Sequence, residues 1–135
     1  MEPECAVAYR EGDVIHLHSG SQNVYDDRHE VSRMLGIPEE SVQVHSMLVG
    51  GGFGGKEDMS VQHHASLVAW LTGKPTKVLF SRQESLNIHP KRHAMEMDIT
   101  TACDAEGNLV ASKVNIVSNC GAYASLGGPV LQRAG

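Results

Sequence analysis

No apolar run in the 135-residue chain is long enough to span a bilayer. Its 41% hydrophobic and 20% charged residues match an ordinary globular protein, so no membrane partner is expected. Positive charge is scarce. Eleven Lys and Arg stand against sixteen Asp and Glu, a formal charge of −5, with no clustered basic stripe. A phosphate backbone is bound through local positive charge that displaces counterions, so nucleic acid is excluded as a partner. Cysteine is sparse too: Cys5, Cys103 and Cys120 are odd in number and far apart, with no CxxC or Cys/His spacing for zinc or an iron–sulfur cluster. They read as buried reduced thiols. The opening Met1-Glu2-Pro3-Glu4 has neither the basic start nor the apolar stretch of a secretory signal, and a cytoplasmic protein is expected. A chain of this length buries one modest core, the content of one domain or part of one.

What is present is an alternation of short strands and helices. Residues 5–10 and 13–19 are β-prone runs around Glu11-Gly12, which predicts a hairpin with Val14, His16 and His18 on one face. From Val24 to Leu35 the apolar residues Val24, Val31, Met34 and Leu35 recur at helical spacing, and Gly36 and Pro38 end the helix. The stretch 41–49 predicts a strand that runs into Gly50-Gly51-Gly52-Phe53-Gly54-Gly55, and a helix over about 59–72 follows. That helix is apolar on nearly all sides, so most of its surface should be buried. Thr76–Phe80 predicts another strand. Ser81–His93 reads as polar and irregular, broken by Pro90. Residues 94–103 and 108–119 predict a long antiparallel hairpin around Asp104-Ala105-Glu106-Gly107, in whose register Cys103 and Cys120 do not meet. Gly127-Gly128-Pro129 opens a final helix close to Gly135, which reads as a cut from a longer polypeptide.

The glycine loop has more than one reading. Gly50-x-Gly52-x-x-Gly55 satisfies the dinucleotide-binding pattern, with Glu84 beyond the next strand in the place of the acidic partner. That fold needs parallel strand–helix units to continue, whereas this chain goes on into an antiparallel hairpin. Independently of fold, five glycines around one phenylalanine let backbone N–H groups approach a phosphate, a pyrophosphate or a metal-bound oxo group without a Cβ in the way. A tight turn with close strand–helix packing is the plain structural alternative. The histidines His16 and His18, His63 and His64, and His89 and His93 lack a third ligand at a recognised spacing and read as solvated or capping groups. Lys91-Arg92 reads as a solvated loop. Asp26 and Asp27 begin the first helix, where negative charge is favourable, and carry no assigned chemistry.

MEPE at the start, Ser21-Gln22-Asn23, GGGFGGKE at 50–57 and GAYASLG at 121–127, in this order, resemble the molybdenum-cofactor-binding subunit of the xanthine dehydrogenase and aldehyde oxidase family. The similarity covers essentially the whole chain, and its Lys56-Glu57 ending looks like the purine-oxidising branch. The resemblance implies that Gln22 hydrogen-bonds a molybdenum oxo ligand as a neutral amide donor. It implies too that Phe53 lies against the metal and its pterin, that Gly52 and Gly54 permit close backbone approach, and that Glu57 orients the substrate. Each has a plainer alternative: Gln22 as a polar residue at a helix start, Phe53 as a core plug, and Glu57 as a first-turn residue favoured by the helix dipole. The family reaction hydroxylates a carbon next to nitrogen or oxygen with oxygen from water, the metal activating the nucleophile.

The resemblance further implies a molybdopterin cofactor here, with [2Fe-2S] clusters and FAD on other domains or subunits. No catalytic residue falls within 1–135, because the family's general-base glutamate and substrate-facing arginine loop come later. The expected fold is α+β: a mixed sheet of about six strands with two main helices, residues 1–135 forming a single partial domain of a larger molybdopterin-binding domain. The expected partners are a small purine or aldehyde substrate and the remaining parts of the same enzyme. The alternatives are an aldehyde oxidase-type hydroxylase and a non-redox nucleotide- or phosphate-binding module. Alone, the chain is expected to be inactive, to hold no molybdenum, and to self-associate through the apolar helix near 59–72.

Overall fold

The computed structural model describes residues 3–135; Met1 and Glu2, the first half of the MEPE stretch, lie outside the described residues. The chain divides into two compact units, the first ending at Pro90 and the second spanning Lys91–Gly135. Among the described residues no helix is long and apolar enough to cross a membrane.

In the first unit, β1 (Cys5–Glu11) and β2 (Val14–Ser19) form the expected hairpin, with Glu11 opposite Val14 and Gly12 at φ 59° in the turn. The left-handed φ at that corner is one glycine adopts without a Cβ clash. α1 (Val24–Leu35) then returns the chain so that β3 (Val42–Ser46) lies parallel to β2. Asn23 caps α1 by accepting the Asp26 N–H, and Gly36 closes it in the left-handed conformation. β3 is shorter than the 41–49 run of β-prone residues because its partner β2 ends at Ser19, opposite Ser46. After the glycine loop comes α2 (Gln62–Thr72), and β4 (Thr76–Leu79) pairs antiparallel with β1. The sheet order is β3-β2-β1-β4. Only the β2–β3 pair is parallel and the strand before the glycine loop is an edge, which is not the arrangement of a dinucleotide-binding sheet.

One face of this sheet carries the core. Ala6, Ala8, Ile15, Leu17 and Val42 pack with Val31 of α1 and with Val61, Ala65 and Ala69 at and along α2. Small residues on both β1 and α2 bring helix and strand close together. Burying Ile15, Leu17 and Val31 stabilises the unit by about 1.5–3 kcal/mol per side chain. At the rim, the Arg10 guanidinium lies 3.9 Å from the Trp70 ring centroid and ties the end of α2 to β1. The expectation that α2 is buried nearly all round is corrected: Gln62, Ala65, Ser66 and Ala69 are buried, while Leu67, Val68 and Leu71 are exposed.

Two further expectations change. Residues 81–93 are not irregular but contain α3 (Arg82–Ile88), opened by a capping box in which Ser81 Oγ accepts the Glu84 N–H and the Glu84 carboxylate accepts the Ser81 N–H. Glu84, the nominal acidic partner of the glycine pattern, is engaged in that cap. Pro90 follows the helix rather than breaking it. The single six-stranded sheet is also corrected to two sheets: β5 (Ala94–Cys103) and β6 (Leu109–Asn119) pair only with each other among the described residues, in a long antiparallel ladder with an irregularity at Ala102/Cys103. Cys103 faces Leu109, and all three cysteines are free. Cys103 is exposed and Cys5 and Cys120 half-exposed, so the reading of all three as buried thiols is corrected as well. With α4 (Gly127–Ala134), four α-helices rather than two main ones accompany the six strands in the described residues.

Candidate functional site

Gln22 lies in the connection from β2 to α1, immediately before the Asn23 cap. Its backbone N–H donates to the Lys56 carbonyl at 2.9 Å, and the Lys56 N–H donates back to Gln22 Oε1 at 3.1 Å. Two segments 34 positions apart are thereby joined at the end of the glycine loop. Because the side-chain oxygen is engaged by Lys56, the Gln22 amide nitrogen is the end left to donate, and it has no protein partner among the described residues. The side chain bonds the glycine loop and not the helix, so a helix-capping role does not describe it.

The loop is folded on itself: the Gly55 N–H donates to the Gly52 carbonyl at 2.8 Å and the Glu57 N–H to the Gly54 carbonyl at 3.4 Å. Gly54 stands at φ 79°, and Phe53 stands at φ 52°. A left-handed phenylalanine costs on the order of 1–3 kcal/mol. Its side chain is 82% exposed, which excludes the core-plug alternative in this structure. Gly52 packs directly on Gln22: a Cβ there would stand 2.2 Å from Gln22 Oε1 and 2.5 Å from its Cδ, so the glutamine side chain would have to move. Glu57 is half-buried and precedes the first residue of α2, Gln62, by five positions, so it is not in the first turn of that helix. A cleft of about 350 Å³ runs beside the loop, lined by Gly50, Gly55 and Lys56 with Glu4, His18 and Lys77 among others. Gln22, Gly52, Phe53, Gly54 and Glu57 are not among its lining residues.

These features fit an oxygen-rich cofactor on two counts. A side-chain amide donor is presented without a protein acceptor, and the adjoining backbone is kept clear of side chains at the position where a Cβ would displace that amide.

Two groups were invisible to sequence reasoning. His16 and His18 are joined by His45 of β3 and by Tyr9 in a stack on the sheet face away from the helices, with ring centroids 4.4 Å apart for His18–His45 and 4.8 Å for Tyr9–His16. Neighbour-strand register brings His45 opposite His18, which no sequence spacing reveals. His16 Nδ1 and His45 Nε2 are 3.3 Å apart, while burial first, then His45 and His16, hold the His18 pKa below its usual value. Among the described residues no group of three or more His, Cys, Asp or Glu is disposed to hold a metal ion.

The second group is Asp27, which is wholly buried rather than a surface charge at a helix start. Gln62 Nε2 donates to Asp27 Oδ1 at 3.4 Å, while Oδ2 has no hydrogen-bond partner among the described residues. Burial pushes its pKa up, against the opposing hydrogen bonds from Ser21 and Gln62. A carboxyl whose folded pKa exceeds its unfolded value binds more protons in the folded state, so its stabilisation is present below the unfolded pKa and is lost as pH rises through the folded one. Asp27→Asn removes this dependence. The expected result is that the unfolding midpoint of Asp27→Asn, relative to the parent, rises as pH is raised from about 4 to 8. A pH-independent difference in thermal melts counts against it.

The strand–loop–helix arrangement around Gln22 and the glycine loop belongs to a class of cofactor-binding domain. The family model described as "Molybdopterin cofactor-binding domain" matches residues 1–135, and the chain belongs to that family. It is 42% identical over 132 residues to a probable xanthine dehydrogenase subunit of Bacillus subtilis, covering 97% of this chain and 18% of that protein. It is 40% identical over 135 residues to the nicotinate dehydrogenase large molybdopterin subunit of Eubacterium barkeri, covering 99% of this chain and 32% of that one. Among solved structures, the aldehyde oxidoreductase of Desulfovibrio gigas superimposes with a TM-score of 0.89 at 25% identity, over 98% of this chain and 15% of that one. The chain thus spans less than a third of the length of each of these relatives.

Proposed function

We propose that residues 1–135 form one part of a larger molybdopterin-binding domain, in an enzyme that hydroxylates a purine or related N-heterocycle. The observation that carries this reading is the reciprocal pairing of Gln22 with Lys56, which brings the two stretches of the family resemblance together and leaves an amide nitrogen to donate. Gln22, Gly52, Phe53 and Gly54 would hold the cofactor. Gln22 donates a hydrogen bond, Gly52 and Gly54 keep the backbone open to it, and the strained, exposed Phe53 presents its ring to a ligand surface. When bound, the cofactor would supply the redox centre and an activated oxygen nucleophile. Glu57, outside any helix end, orients a polar heterocycle. [2Fe-2S] and FAD groups on other domains or subunits would take up the electrons, in a cytoplasmic enzyme.

Relatives named for xanthine and nicotinate, both N-heterocycles, stand at 42% and 40% identity and support the heterocycle. The close superposition on an aldehyde oxidoreductase favours a second reading, an aldehyde substrate at the same site. Expression of the full reading frame tests both. Stoichiometric molybdenum by elemental analysis and faster turnover of a purine than of an aldehyde are expected; an enzyme devoid of molybdenum overturns the proposal, and aldehyde preference selects the second reading.

A further inference from the structure

We propose that His16 and His45 form a two-histidine site for a divalent transition ion of the zinc or copper kind, held across β2 and β3 on the sheet face away from the helices. The two residues are diagonal neighbours in the parallel pair, His16 standing opposite Gln43 and His45 opposite His18. His16 Nδ1 and His45 Nε2 are 3.3 Å apart. Two imidazole nitrogens at about 2.0–2.1 Å from a tetrahedral zinc are roughly 3.3–3.4 Å from each other, so the pair already stands at the spacing that one ion requires.

His16 is prepared for this by its surroundings. Its Nε2 lies 3.5 Å from Glu11 Oε2, and a carboxylate at that nitrogen favours the tautomer that keeps the proton there. Nδ1, the atom next to His45, is then left with its lone pair. The Tyr9 ring stacks on His16 at 4.8 Å and 6°, and the His16 side chain is only 13% exposed, so its orientation is restricted before any ion arrives. His45 is exposed, which leaves room for the ring rotation that turns its lone pair onto an ion and for the waters that complete a shell with two protein ligands. His18 backs the His45 ring at 4.4 Å and is not needed as a ligand. Imidazole is a borderline donor that suits zinc, copper and nickel, whereas magnesium and calcium take oxygen ligands. An ion held here would join the strand that leads to Gln22 with the strand that leads into the glycine loop.

The test needs no assumption about the glycine loop or its cofactor. Untagged full-length enzyme is treated with EDTA, dialysed and titrated with zinc chloride by isothermal calorimetry. Saturable binding is expected, with one equivalent lost in His16→Ala and in His45→Ala and none lost in His63→Ala on α2. Glu11→Gln is expected to weaken that equivalent roughly tenfold to a hundredfold, the scale for removing a carboxylate that orients a ligating histidine. Copper(II) added at one equivalent is expected to show electron paramagnetic resonance coupling to two nitrogens. Should a histidine variant fail to fold, this spectrum of the parent enzyme decides alone. No saturable zinc, zinc binding left intact by either histidine substitution, or a copper spectrum with fewer than two nitrogen donors overturns the site.

Discussion

Replacing Glu57 by valine in the intact enzyme is expected to lower kcat/KM for a purine by about tenfold to a hundredfold, while aldehyde oxidation holds or improves. The side chain follows directly on the glycine loop, half-buried, five residues ahead of α2. It therefore has no first-turn role that would explain a carboxylate there. A site that pairs a heterocycle N–H with a carboxylate loses about 1–3 kcal/mol when that partner is removed, and a simple aldehyde has no matching donor to lose. Steady-state kinetics on both substrate classes, at unchanged molybdenum content, make the comparison. Equal losses on both, or no loss on the purine, sink the assignment of Glu57 to the substrate.

Gln22→Leu and Gly52→Ala are expected to reduce kcat by a similar factor, about a hundredfold, although only the first alters the amide itself. The reason is geometric. The new methyl at residue 52 would lie 2.2 Å from Gln22 Oε1, and a flexible glutamine yields to it more readily than the loop backbone does. Displacing Gln22 breaks its bond from the Lys56 N–H and moves the amide nitrogen with it. A preorganised donor lost from a site of developing charge costs roughly 10²–10³ in kcat. If Gly52→Ala retains full kcat while Gln22→Leu does not, the alanine has been accommodated elsewhere and the close packing of residue 52 on Gln22 is not what holds the donor.

Legibility in the sequence differs from element to element. α1 is readable to the residue, because a regular apolar spacing is bounded by an Asn cap and a Gly-x-Pro stop, all of them local signals. The signal for α3 is equally local, since Ser81 and Glu84 carry the capping-box spacing, but Pro90 reads as a breaker when it only marks the far side of the helix. The length of β3 is not readable at all, since it is set by where β2 stops and not by the residues of 47–49. The division into two sheets has the same origin. Period-2 patterning marks a strand but does not name its neighbour.

The amino-acid sequence by itself determined most of the elements, the glycine loop between β3 and α2, and, through the resemblance, the family and the residues to watch: Gln22, Gly52, Phe53, Gly54 and Glu57. These depend on spacing along the chain and on residue chemistry, which are written locally. Tertiary structure alone decided that Lys56 clasps Gln22 across 34 positions, that Phe53 is turned out in a left-handed conformation, and that Asp27, nominally a surface acid, is buried and bonded by Gln62. Helical periodicity places a residue on a face, but what that face meets depends on contacts closed over long loops, and a side chain's burial is settled only when those contacts form.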